Sequence, residues 1–181
     1  QVFVNLPEAK RHDAPAAFQL TAGEIPRISG DRSSARLVLG ESNGVRGASA
    51  PDVGLTLLDI ALQAGGRFSH QGESDQHAWL LGIAGTTTVA WNAGSTDLQP
   101  GTAIAMAGAT GISVSSELGA HAVLFRAPPL REGFIQRGPF AMGSEAELDA
   151  AEAAFAKGWT LIKVYAMIGL PTETDDDLEE L

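Results

Sequence analysis

Short apolar or alternating runs recur along the chain between Gly, Pro, Asn and Ser breakers: Val2–Leu6, Ala35–Leu39, Leu55–Leu62, Ala78–Ile83, Thr86–Trp91, Ala103–Ala107, Ile112–Ser115 and His121–Ala127. Runs of this length, bounded by turn residues, predict strands. Thr86-Thr87-Thr88-Val89-Ala90-Trp91 is rich in β-branched residues, whose stiff side chains suit a pleated surface better than a helix. Ser42-Asn43-Gly44, Gln71-Gly72, Asn92-Ala93-Gly94 and Pro100-Gly101 supply the turns, with Gly or Asn taking the positive φ that a tight reversal needs. Many short strands with Gly-rich turns predict an all-β barrel or sandwich.

The pattern changes after Pro139. Ser144-Glu145-Ala146-Glu147 has the form of a capping box, in which the Ser144 hydroxyl accepts from the Glu147 N–H and the Glu147 carboxylate reaches back to Ser144. Leu148, Ala151 and Phe155 then share one helical face, and Gly158 stands where a left-handed residue closes a helix, which predicts a helix over about Glu145–Lys157. A third style follows. Thr160–Ile168 reads as a strand, Gly169-Leu170-Pro171 ends it, and Thr174 can cap a short second helix whose first turn carries Asp175, Asp176 and Asp177.

Composition narrows the classes. A chain of 181 residues, 44% apolar and 19% charged, can bury one sizeable core, and no apolar run approaches the ~20 residues that cross a bilayer. The opening QVFVNLPEAKRH lacks the form of a secretory signal, so a cytoplasmic protein is expected. With no cysteine there is no disulfide framework, thiolate zinc site, cysteine nucleophile or cysteine-bound iron–sulfur cluster. A net charge of −10 repels phosphate backbones and anionic lipid, which argues against nucleic acid and membrane as partners. Half of that charge lies in residues 159–181, where six acids face Lys163 alone. No Ser–His–Asp arrangement, phosphate loop or dinucleotide fingerprint is present.

Val2-Phe3-Val4-Asn5-Leu6-Pro7, Leu55–Asp59, the Gly85 turn, Pro100-Gly101, Pro129-Leu130-Arg131-Glu132 and Gln136-x-Gly138-Pro139-Phe140-x-Met142, followed by an acidic helix, resemble the C-terminal half of the pirin family. The resemblance covers residues 1 to about 158 and implies a cupin-type double-stranded β-helix barrel with one C-terminal α-helix. It also implies a family of bicupins, nuclear or cytoplasmic, that contain non-heme iron and include bacterial quercetin 2,3-dioxygenases. In that family the iron ligands lie in the N-terminal cupin, which has no counterpart in these residues. A metal-binding cupin carries G-x5-H-x-H-x3/4-E-x6-G, and counting from Gly65 puts the ligand positions on Gln71, Glu73 and Ala78, or from Gly66 on Gly72, Ser74 and Ala78. The histidine of the second cupin motif falls on Ala105. The resemblance therefore implies a barrel without a usable metal site, its interior lined by apolar and small side chains. Residues 159–181, above all Met167–Asp175, resemble a strand-turn-helix segment of the radical SAM barrel, whose cluster-binding cysteines are absent, so a joined chain is expected with the tail as an appended segment rather than a domain.

The remaining metal-like residues are His70, Glu73 and His77, with His121 as a further ligand, and they carry the alternative of an iron-dependent dioxygenase of quercetin 2,3-dioxygenase type. The plainer reading sets His70 and His77 on an exposed rim loop and His121 on a strand surface. Trp79 and Trp91 are expected in the core, with an aromatic-substrate pocket as the rival role. Arg131, Glu132, Gln136 and Arg137 cluster where a pirin contacts its other domain. The leading expectation is a non-catalytic scaffold or interaction module without catalytic residues or cofactor. Its partner is a protein or a second copy of the chain, docked on the face that the missing cupin normally covers. A fused chain displaying the tail as cargo is the third reading.

Overall fold

Alternation turns the apolar runs into strands. The computed structural model describes residues 4, 6–11, 13–14, 19–47, 54–138 and 140–157, and its long runs bury every second side chain. Residues Ala17–Pro129 form one compact unit. Its strands are β1 (Arg27–Leu39), β2 (Glu41–Ser42), β3 (Val45–Arg46), β4 (Thr56–Gln71), β5 (His77–Ala84), β6 (Thr87–Trp91), β7 (Gly94–Leu98), β8 (Ala103–Ala107), β9 (Gly111–Ser116) and β10 (Ala120–Ala127). Eight of them make one antiparallel sheet of order β7-β6-β9-β4-β10-β5-β8, with β1 also on β4. The first half of β4 pairs with β10 and β1, and its second half pairs with β9, so the sheet curls into a nearly closed barrel. Inside lie Leu37, Leu58, Ile60, Leu80, Val114 and Leu124, all essentially buried.

The hairpin β2–β3 turns at Asn43 (φ 50°) and Gly44 (φ 77°). Positive φ at both central residues is what a two-residue hairpin loop requires, and Asn-Gly meets it at low cost. Six of the expected strands agree with β4, β5, β6, β8, β9 and β10 at their cores, and two expectations are corrected in length. β1 starts at Arg27 rather than Ala35, because Arg27–Ser34 is polar and shows no apolar alternation. β4 runs on from Leu62 to Gln71, because the bend at Gly65-Gly66 is absorbed within the strand instead of ending it. β7 (GSTDL) was hidden by the same polarity. Val2–Leu6 lies largely outside the described residues.

Leu130–Leu181 together with Gln1–Ala16 form the second unit. It contains α1 (Glu8–Arg11), the hairpin β11 (Ile135–Arg137) and β12 (Phe140–Met142), and α2 (Glu145–Ala156). Ser144 is the N-cap of α2, its side chain accepting from the Glu147 N–H at 3.3 Å. The reciprocal half of the box is displaced by one residue: the Glu147 carboxylate accepts from the Gly143 N–H at 2.8 Å. Phe140 and Phe155 pack edge to face at 5.1 Å. Arg137 ties the hairpin to α2 through Glu145 (2.8 Å) and Glu152 (3.2 Å). The helix ends at Lys157, and the expected roles of Gly158, Thr160–Ile168, Thr174 and the radical-SAM-like segment all lie outside the described residues. Among the described residues no helix is long and apolar enough to cross a membrane.

Candidate functional site

Side-chain parity along β4 decides what faces the barrel interior. Phe68 and His70 are buried while Ser69 and Gln71 are exposed, so position 72 continues the inner row and 71 and 73 do not. His70 is 2% exposed, which corrects its expected place on a rim loop. The turn signal at Gln71-Gly72 is real but begins one residue after the strand has buried the imidazole. Its Nδ1 lies 2.8 Å from Ser42 Oγ, and Ser42 is itself buried. The β2–β3 hairpin that delivers Ser42 is anchored by Asn43 Nδ2 donating to the Ser69 carbonyl at 2.8 Å.

A second group lies at the same end of the barrel, against Gly72 two residues after His70. Arg126 lies opposite Thr56 on β4 and Ala78 on β5, and Ala78 lies opposite Met106 on β8. His70 lies opposite Ile112, which lies opposite Trp91. Arg126 is only 1% exposed. Its Nε donates to Gln76 Oε1 at 2.7 Å and its Nη2 to the Glu73 carbonyl at 2.6 Å. A Cβ added at Gly72 would lie 2.1 Å from the Arg126 Cζ, so the guanidinium occupies the space where a side chain at 72 would stand. The expected interior of apolar and small side chains is corrected at this end by an arginine and a histidine.

The electrostatics are unbalanced. Burial first, and the positive field of Arg126 second, push the His70 pKa down to about 4, so the imidazole is neutral at neutral pH. Burial lowers the Arg126 pKa as well, while the fields of Glu73 and Asp75 raise it. A guanidinium keeps its proton in such a setting. Its hydrogen-bond partners are a neutral amide and a main-chain carbonyl, an arrangement that leaves a buried charge without a contact counter-ion. Arg126 Nη1 and His70 Nε2 are buried with no hydrogen-bond partner among the described residues.

The other metal candidates lie elsewhere. Glu73 sits on an exposed turn and uses its backbone carbonyl, and His77 is on the outer side of β5. His121 is on the outer side of β10, its Nε2 on Asp59 Oδ1, while Asp59 Oδ2 accepts from Arg36 Nε at 2.6 Å. Among the described residues no three His, Asp or Glu side chains come together to hold a metal ion. A cupin ligand set spaced H-x-H-x3-E meets the inner row when it starts at residue 70, giving His70, Gly72 and Gln76. The third-histidine place falls on inward Met106 rather than exposed Ala105. One imidazole, no side chain, an amide and a thioether do not make an iron site, and a fixed guanidinium beside them repels a dication. The residues present do not fit iron.

Trp91 packs against the core, and Trp79 is 40% exposed on the outer face of β5, so the two do not share a pocket. Of the cluster near Pro129, Glu132 accepts from Arg11 at 2.9 Å and Arg137 pairs with acids of α2. Sequence reasoning missed Arg126. The signal was its even spacing from Ala122 and Leu124, which the nearly all-apolar run around it masked.

Comparison with known proteins agrees with this architecture. Residues 57–160 match the pirin C-terminal cupin domain. Pirin of Homo sapiens is 25% identical over 153 residues, 83% of this chain and 53% of that protein. Pirin-1 of Arabidopsis thaliana is 24% identical, over 83% of this chain and 54% of that one. A crystal structure of quercetin 2,3-dioxygenase from Acinetobacter baumannii matches with a TM-score of 0.74 at 25% identity, covering 86% of this chain and 54% of its own. The chain spans about half the length of the curated relatives it matches.

Proposed function

This chain belongs to the pirin family through its C-terminal cupin domain, and on that premise we propose that it works as a non-catalytic, cytoplasmic scaffold or interaction module rather than as a metal-dependent dioxygenase. One observation carries the reading: the Arg126 guanidinium is seated against Gly72 and on Gln76, in the space that a cupin metal centre needs for its ligands. A permanent cation held there by two hydrogen bonds replaces the metal's charge and leaves nothing to activate oxygen. The matching structure of a quercetin 2,3-dioxygenase supports the alternative only through fold and modest identity.

Outside the barrel, a surface suits a protein partner. Ala105, Trp79 and Phe125 are in register across β8, β5 and β10, with Trp79 and Phe125 rings 5.1 Å apart, and Ile83, further along β5, is 43% exposed. An exposed tryptophan backed by a half-buried phenylalanine on a sheet face is the kind of anchor that buries against a second protein or a second copy of the chain.

The deciding experiment is metal analysis of protein purified without a histidine tag, combined with oxygen uptake in the presence of quercetin. The expected result is substoichiometric iron and no quercetin-dependent uptake. One iron per chain, lost on His70→Ala together with oxygen uptake, would establish the dioxygenase instead.

A further inference from the structure

Two buried nitrogens at one end of the barrel have no hydrogen-bond partner among the described residues, and one of them belongs to a cation. We propose that this inner end is a binding site for a small monocarboxylate, held by Arg126 Nη1 and His70 Nε2. The inference rests on the metal-free reading of the barrel.

Arg126 is 1% and His70 2% exposed, so neither nitrogen is satisfied by bulk water. The positions of both are fixed by their other contacts. Gln76 Oε1 and the Glu73 carbonyl hold Nε and Nη2 of the guanidinium, which leaves Nη1 as its one free arm. Ser42 Oγ lies 2.8 Å from Nδ1, and the proposed site takes the tautomer in which that hydroxyl donates to Nδ1 and Nε2 carries the proton.

Charge selects the ligand class. The guanidinium brings one positive charge and no carboxylate among the described residues touches it, since Glu73 offers its main chain and the carboxylates of Glu73 and Asp75 act only through their fields. A monoanion neutralises that charge, whereas a dianion leaves an excess that the surrounding Ala78, Met106 and Ile112 cannot solvate. The planar guanidinium suits a carboxylate, and the apolar neighbours suit a short hydrocarbon tail.

The test uses the full chain with its iron content measured, titrated with sodium acetate and, at matched ionic strength, with sodium chloride. Readouts are the His70 imidazole nitrogen shifts, the Arg126 Nε–H resonance and the melting temperature. A saturable change with acetate and not with chloride is expected, with affinity lowered about tenfold or more in Arg126→Gln and in His70→Gln, as for loss of one charge-assisted donor. No saturation, or equal shifts with chloride, overturns the proposal and assigns the two nitrogens to water. If Arg126→Gln fails to fold, His70→Gln decides alone, and unchanged acetate affinity in that folded variant is fatal. Stoichiometric iron in the starting protein defeats the metal-free reading, whereas iron-free protein that ignores acetate defeats the carboxylate site alone.

Discussion

Gly72 and Arg126 act as one unit, because the space that the glycine leaves open is filled by the guanidinium. A methyl at 72 must push that group off Gln76 and the Glu73 carbonyl, so Gly72→Ala should cost about 1–3 kcal/mol in urea denaturation. In an Arg126→Met background the same substitution should cost much less; equal costs in both backgrounds would show that the two positions are independent. His70 gives a second handle. Its pKa falls from 6.5 to about 4 on folding, so below pH 6.5 the unfolded chain binds the proton that the folded chain refuses. Stability from this residue is present above that pH and drains as pH falls toward 4. The full shift would amount to about 3 kcal/mol, and screening near the barrel end brings it nearer to about 2 kcal/mol. Arg126 on β10 is the charged group whose field reaches the imidazole, and Ser42 on β2 its hydrogen-bond partner. The stability gap between the wild type and His70→Gln should therefore narrow by about that amount on acidification from pH 6.5 to pH 4; a constant gap would mean an imidazole that titrates normally. Little of this was legible beforehand. His70 stood out by composition, but a turn signal two residues long does not say on which side of it the strand ends.

At the scale of elements, the α2 cap is where sequence and structure agree most closely. Ser144→Ala should destabilise the second unit by about 0.5–2 kcal/mol, read by helical circular dichroism during thermal melting. Glu147→Ala should add to the loss, because that carboxylate serves the Gly143 N–H and lies 3.5 Å from Arg11. Neutral behaviour of both variants would place the start of the helix elsewhere. The motif was readable because a capping box has a fixed spacing that side-chain chemistry enforces. The same holds for a strand with one wet face such as β9, whose alternation is written in residue type. It fails for β7 and for the first half of β1, where serine, threonine, aspartate and arginine occupy both faces and a single apolar side chain in each, Leu98 and Ile28, reaches the core.

For the whole molecule, the barrel was legible because turn chemistry and strand length constrain a small all-β fold strongly, whereas its chemistry depends on which end of a strand carries one odd residue. The outer face around exposed Trp79 gives the prediction that belongs at this scale. If the face of Trp79 and Phe125 is an interface, Trp79→Ser should shift sedimentation toward the monomer or abolish partner binding while leaving the melting temperature within about 1 °C, since surface changes usually move stability by less than ~0.5 kcal/mol. A change in melting without a change in association would make Trp79 a packing residue. The length and position of β4 carry one more consequence, which concerns time. Because one strand of 16 residues serves both flanks of the barrel, the two flanks should open together. Its pairings join residues far apart in the chain, such as Leu58 with Leu124 and Phe68 with Val114, so the nucleus must close long loops before any contact rewards it. The barrel should therefore fold slowly and in one step. Amides of Leu58 and Phe68, on opposite sides of the Gly65 bend, should exchange with deuterium at the same global rate, and a Phe68 that exchanges faster than Leu58 would reveal a barrel that opens by halves.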